Sequence, residues 1–183
     1  MPDLPVQDHD VVITATRVWL ERAVIGLNLC PFAKAVHVNQ LVRYFVSDSQ
    51  YNDELLEDIS KELCFLQDSD PTVCETTLLI HPGMLTDFIE FSHFLQKVNS
   101  LVSKKGFAEE FQVASFHPDF LFGDAGPDDI ENYTNRSPYP MLHLLRESSI
   151  ARAVAAFPDA SDIYEKNIET LRCLGHAGWQ RLW

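Results

Sequence analysis

Basic residues are scarce in this chain: 14 Lys and Arg stand against 27 Asp and Glu in 183 residues, a formal net charge of −13. A field of that sign repels nucleic-acid phosphates and anionic lipid, so neither is an expected partner. Long apolar runs are missing too. No segment approaches the ~18 uninterrupted apolar residues of a membrane span. The start, MPDLPVQDHD, lacks the basic opening and apolar stretch of a secretory signal. These absences point to the cytosol. Cys30, Cys64, Cys74 and Cys173 form no CxxC and no short Cys/His pairing of the zinc type. Reduced thiols acting as small core residues are therefore expected. Glycine-rich phosphate loops, the dinucleotide pattern GxGxxG and the nucleophile elbow GxSxG are all absent, which argues against the common NTPase, dinucleotide and α/β-hydrolase classes.

The apolar fraction is 46% and the charged fraction 22%, so the chain has enough material for one globular domain spanning 1–183, with residues 1–9 as a loose tail. From Asp10, apolar positions Val12, Ala15, Trp19 and Ala23 follow a helical spacing, and Gly26, Asn28 and Pro31 end it. LVRYFV (41–46), ETTLLI (75–80) and FQVASF (111–116) read as strands. Between them lie an acidic helix over about 53–67, with Leu55, Ile59, Leu63 and Leu66 on one side, and a helix over about 85–105 closed by Lys104, Lys105 and Gly106. Ser137-Pro138 predicts a helix start, with a stop at Phe157-Pro158. A last helix opens on Asp162 and ends near Gly175, ahead of a WQRLW tail. The expectation is an α/β fold: a small, mainly parallel sheet of three to four strands with helices packed on it and extra helices at both ends.

Two of the strands finish on the same pair, TLLIHP and ASFHPD. If they are parallel, His81 and His117 leave the sheet at its carboxyl edge, where open α/β sheets bind ligands. The following prolines hold both histidines in extended backbone. Imidazole titrates near neutral pH, which makes His81 and His117 the candidate general acid and base, with Asp119 or Asp124 to orient one ring. Asp128, Asp129 and Glu131 read as a solvated acidic loop. Arg136 stands before the expected helix start at Ser137. His143, Arg146 and Glu147 fall at i, i+3 and i+4, one helical face. Arginines in so acidic a chain suit an anionic substrate group. The expected substrate-binding set is thus Asp124, Arg136, Ser137, His143 and Arg146.

The blocks GLNLCPFAK, TTLLIHP, FQVASFHPDFLF and NRSPYPMLHLLRE, in this order, resemble a bacterial and plastid family catalogued as domain of unknown function fourteen-fifteen. The resemblance covers nearly the whole chain and implies a stand-alone soluble single-domain protein. It carries over no reaction, cofactor or catalytic residue.

Three function classes follow. The first is a hydrolase or group transferase acting on a phosphorylated or carboxylated metabolite through His81, His117 and Asp119. The second gives those same three residues to a divalent metal, since two histidines and a carboxylate form a common metal-binding set. The third is a binding or interaction protein using the acidic helix around 53–70 and the tryptophans Trp179 and Trp183. Cys30, beside Pro31 and Lys34, reads as a turn residue rather than a nucleophile, because a helix C-terminus disfavours a thiolate. His9, His37, His93 and His176 have no chemical role in any of these readings. Nothing in the sequence names a cofactor or an oligomeric state.

Overall fold

The computed structural model describes residues 8–156 and 162–183. The expected tail falls largely on 1–7 and the Phe157-Pro158 stop on 157–161; both lie outside the described residues. Helix α1 (His9–Trp19) starts under an Asp8 side-chain cap on the amide of Asp10. It continues as a π-helical segment, Leu20–Ile25, whose wider turn brings Trp19, Leu20, Ala23 and Val24 all into the core. A short α2 (Ala33–Val38) leads to β1 (Val42–Val46). Then come α3 (Asn52–Asp68), β2 (Thr76–Ile80), α4 (Phe88–Lys104) and β3 (Phe111–Phe116). A 3₁₀ turn (Ile130–Thr134) precedes β4 (Met141–Arg146), α5 (Glu147–Ala156) and α6 (Ile163–Gln180).

The sheet order is β1-β2-β4-β3. β1 and β2 pair in parallel, while β4 is antiparallel to both β2 and β3. This corrects the mainly parallel expectation. The three strands identified from sequence do run the same way, but β4 inserts between two of them and makes two of the three pairings antiparallel. The segment expected to be a helix from Ser137 is that strand. Pro140 pushes Tyr139 toward extended backbone, and Met141, Leu142 and Leu144 are then buried on both faces of a central strand. The helix begins only at Glu147.

One layer packs α3 and α4 on the sheet through Leu55, Ile59, Leu63, Phe91, Phe94 and Val98, against Leu79, Leu142 and Leu144. The opposite layer packs α1, the π-helical segment and α6 through Val12, Trp19, Leu171 and Trp179, against Leu78, Ile80 and Met141. Helix α4 starts at Phe88 rather than Leu85. Leu85 takes φ 55, outside helical space, and Asp87 caps the helix by accepting from the Glu90 amide. α6 breaks at Gly175 (φ 63, ψ 172) as expected there, but helix resumes and carries Trp179 into the core rather than leaving a tail. No described helix is long and apolar enough to cross a membrane.

Candidate functional site

The two histidines emerge on one rim. β2 and β3 both lie antiparallel to β4, so they are parallel to each other at two strand spacings, roughly 10 Å. The amide of His81 donates to Pro140 O and that of His117 to Asn135 O. Both rings lean on Phe91 of α4, with centroids 5.7 Å and 5.1 Å away, and Phe88 covers His117 from the side. The rim is sealed: His81 is 1% exposed and His117 0%.

Their hydrogen bonds fix the protonation pattern. A carbonyl only accepts, so Nδ1 of His81 donates to Met84 O (3.0 Å) and Nε2 is left as a buried lone pair without a partner. Nε2 of His117 donates to Leu85 O (3.1 Å), while its Nδ1 accepts from the Asp119 amide (3.0 Å). Burial pushes His81 down to about 4. It also lowers His117, against the opposing pull of the Leu85 carbonyl and of the carboxylates of Asp119 and Asp87. Both rings are neutral at pH 7, and together they pin the β2–α4 loop at consecutive carbonyls. As clamps they hold Leu85 in its left-handed conformation. Substrate reaches neither ring unless that loop moves.

The remaining predicted residues divide. The side chains of Asp119 and Asp124 lie on the exposed side of their loop, and only the backbone of Asp119 touches His117. With both nitrogens of His117 engaged, His81, His117 and Asp119 do not form a ligand set. Among the described residues, no group of three or more His, Cys, Asp or Glu is placed to hold a metal ion. Arg146 pairs with Phe111 at the far end of β4, whereas Met141 pairs with Phe116 beside the histidines. Arg146 therefore stands about 17 Å along the strand from that rim. Its buried guanidinium donates to the carbonyls of Leu66, Ser69 and Cys74, closing the open C-terminal end of α3. His143 and Arg146 do not share a face, because strand side chains alternate. His143 meets Phe116 on the α1/α6 side and is also pushed down to about 4 by burial. Cys30 is half-buried, and burial raises its thiol pKa, the reverse of what a nucleophile needs.

Arg136 and Ser137 come together elsewhere on the same edge of the sheet. They line a cavity of about 560 Å³ next to Pro118, the residue after His117. The cavity gathers Trp19 from α1, Tyr133 from the 3₁₀ turn, Trp179 from the last turn of α6, and Trp183 just beyond it. The chain has three tryptophans, and all of them meet in this one place. Trp19 is buried and fixes the loop by donating Nε1–H to Arg136 O (2.8 Å). Trp179 is buried edge-on to Tyr133 at 5.0 Å, and Trp183 is half-exposed at the rim. The Arg136 guanidinium lies over the Tyr133 ring, 4.3 Å from its centroid, with Nη2 donating to Pro127 O and Nε to Phe120 O. It makes no ion pair with any described carboxylate.

The loop that carries Arg136 is held by a residue that sequence reasoning missed. Asn132 is fully buried, donating to Gly126 O and accepting from the Phe122 amide. A lone asparagine in a polar segment gives no signal of that role. The convergence of Trp19 with Trp179 spans 160 positions, so no local pattern reveals it.

A second cavity, about 640 Å³, opens at the end of β1 beside Asp48, Ser49, Glu54 and Asp58. Most of its polar groups satisfy one another, the buried hydroxyl of Tyr44 being left without a hydrogen-bond partner. His9 holds Asp48, the hydroxyls of Ser47 and Ser49 donate to Asp58, and the Gln50 amide donates to Glu54. Its lining is rich in carboxylates, with Asp48, Glu54, Glu57 and Asp58, and so does not suit an anion as the arginine cavity does.

Among the curated proteins and the solved structures there is no match to the chain. A family described as "Protein of unknown function (DUF1415)" matches residues 11–181, and the chain belongs to that family.

Proposed function

We propose that this protein binds an anionic small molecule in the cavity formed by Arg136, Tyr133 and the three tryptophans. The observation that carries this is Arg136 itself: in a chain of net charge −13, it lines a concave site whose side chains include no carboxylate, and it pairs with no described carboxylate. Ligand sites are mostly apolar concavities with one or two fixed polar groups, and this one has that composition. Its lining contains no His, Cys, Asp, Glu or Lys. It therefore offers no group that exchanges a proton near neutral pH, and the reading is binding rather than catalysis. A thermal-shift screen of organic acids tests it. Acids that raise the melting temperature of the wild-type protein lose that effect in Arg136→Gln, whereas an unchanged response in the variant removes Arg136 from the site.

A hydrolase or transferase working through His81 and His117 on an anionic metabolite is the second reading. The unpartnered Nε2 of His81 favours it, since that lone pair is free to accept a hydrogen bond from a substrate hydroxyl once the ring is uncovered. It requires the loop over 82–87 to open. Full turnover by His81→Asn and His117→Asn on any substrate found would discard it.

A further inference from the structure

We infer that the ligand of the Arg136 cavity is a planar aromatic monocarboxylate. This rests on the reading of the cavity as an anion site and narrows it to one chemical class.

The charge count sets the anion. Arg136 is the one cationic residue in the lining. Its Nε and one Nη2 proton are already given to Phe120 O and Pro127 O, so the free N–H groups suit the two oxygens of a single carboxylate. A dianionic phosphate asks for more donors than remain. It would also approach the loop that carries Asp119, Asp124, Asp128 and Asp129, which are exposed and of its own sign.

The lining sets the body of the molecule. The hydroxyl of Ser137 is committed to Tyr139 O and the indole N–H of Trp19 to Arg136 O. A sugar or nucleoside hydroxyl buried there would find few partners and would pay for its desolvation. What remains is aromatic and apolar: Tyr133 and the half-exposed Trp183, with the largely buried Trp19 and Trp179 and with Pro118 and Pro138. Tyr133 and Trp179 meet at 78° and Trp179 and Trp183 at 70°. Neighbouring rings thus present an edge beside a face, an arrangement that continues onto a flat aromatic guest. An extended aliphatic tail would gain area but none of that geometry.

The three tryptophans make the site its own reporter, because no tryptophan lies elsewhere in the chain. The experiment is a fluorescence titration, excited at the red edge of indole, of the full chain with trans-cinnamate. Cinnamamide, octanoate and inorganic phosphate serve as parallel arms, and Arg136→Gln as the variant. The expected result is saturable quenching by cinnamate, weakened about tenfold or more by loss of the charge on either partner, in cinnamamide or in Arg136→Gln. If octanoate or phosphate binds with dependence on Arg136 and cinnamate does not, the aromatic class is overturned while the anion site stands. Equal binding of cinnamate and cinnamamide overturns the anion site as well, as does no saturable response in any arm. Should Arg136→Gln fail to fold, the wild-type comparison of cinnamate with cinnamamide decides alone. Trp183→Ala, at the exposed rim, then supplies the variant whose affinity falls.

Discussion

Lowering the pH from 7.5 to 5 destabilises this protein, and His81 is a principal cause. The ring is 1% exposed, and its Nε2 faces no acceptor or donor, so a proton placed there is a buried charge without a partner. Its folded pKa of about 4 lies below the ordinary 6.5. Below 6.5 the unfolded chain binds the proton and the folded chain does not, so acid favours unfolding. The stability is therefore complete above pH 6.5 and is lost as pH falls toward 4. At pH 5 the unfolded ring is almost wholly charged and the folded ring almost wholly neutral, a difference of about 2 kcal/mol. His143, also held near 4, and His117, lowered by burial, add in the same direction. The assay is urea unfolding at both pH values for wild type and His81→Asn, whose amide keeps a donor for Met84 O but cannot titrate. The variant's acid loss is expected to be smaller by about 2 kcal/mol. Parallel pH profiles for the two proteins would refute the account of His81 as a neutral clamp.

Arg146→Met removes the donors from two carbonyls at the end of α3 and from that of Cys74 ahead of β2, and a loss of about 2–4 kcal/mol is expected in denaturant unfolding. A loss under about 0.5 kcal/mol would mean water replaces the guanidinium there. Arg43 makes a two-pronged pair with Glu62, which is 4% exposed, so Arg43→Met leaves a buried carboxylate alone and costs about 2–3 kcal/mol at pH 7. Denaturant unfolding of Arg43→Met, alone and combined with Glu62→Gln, checks this: the double variant is expected to regain most of the loss. Gln40 is exposed with φ 58, so Gln40→Gly relieves left-handed strain and raises stability by about 0.5–1 kcal/mol. A lower melting temperature in that variant would count against the assigned backbone.

Local patterns made much of the fold legible. The apolar spacing of α3 and α4 and the β-branched and aromatic runs of β1 to β3 each bury against a single layer or lie between two, and both habits leave a periodic trace. β4 left none. It is central, so apolar residues fall on both faces, Met141 and Leu145 on one and Leu142 and Leu144 on the other, and the run MLHLLR behind Ser-Pro resembles a helix opening as closely as a strand. That one ambiguity also moved His143 and Arg146 onto a shared face they do not have. The common rim of His81 and His117 followed from crossover connections, and the strand between them does not disturb it. Their burial did not follow, because it depends on Phe88 and Phe91 reaching across from α4. Arg136 was legible from its charge in an acidic chain, and Ser137 only as the cap of a helix that the structure replaces with a strand. Their aromatic company was not, because it is assembled from helices far apart in the sequence.

The account turns on which group of residues meets the ligand, the sealed imidazoles or the arginine among the tryptophans. A ¹⁵N-resolved NMR titration with trans-cinnamate reads both at once. The indole N–H signals of Trp179 and Trp183 are expected to shift in a saturable way while the imidazole signals of His81 and His117 stay fixed. Movement of the imidazole signals with the indoles unchanged would contradict it and return the site to the histidine rim.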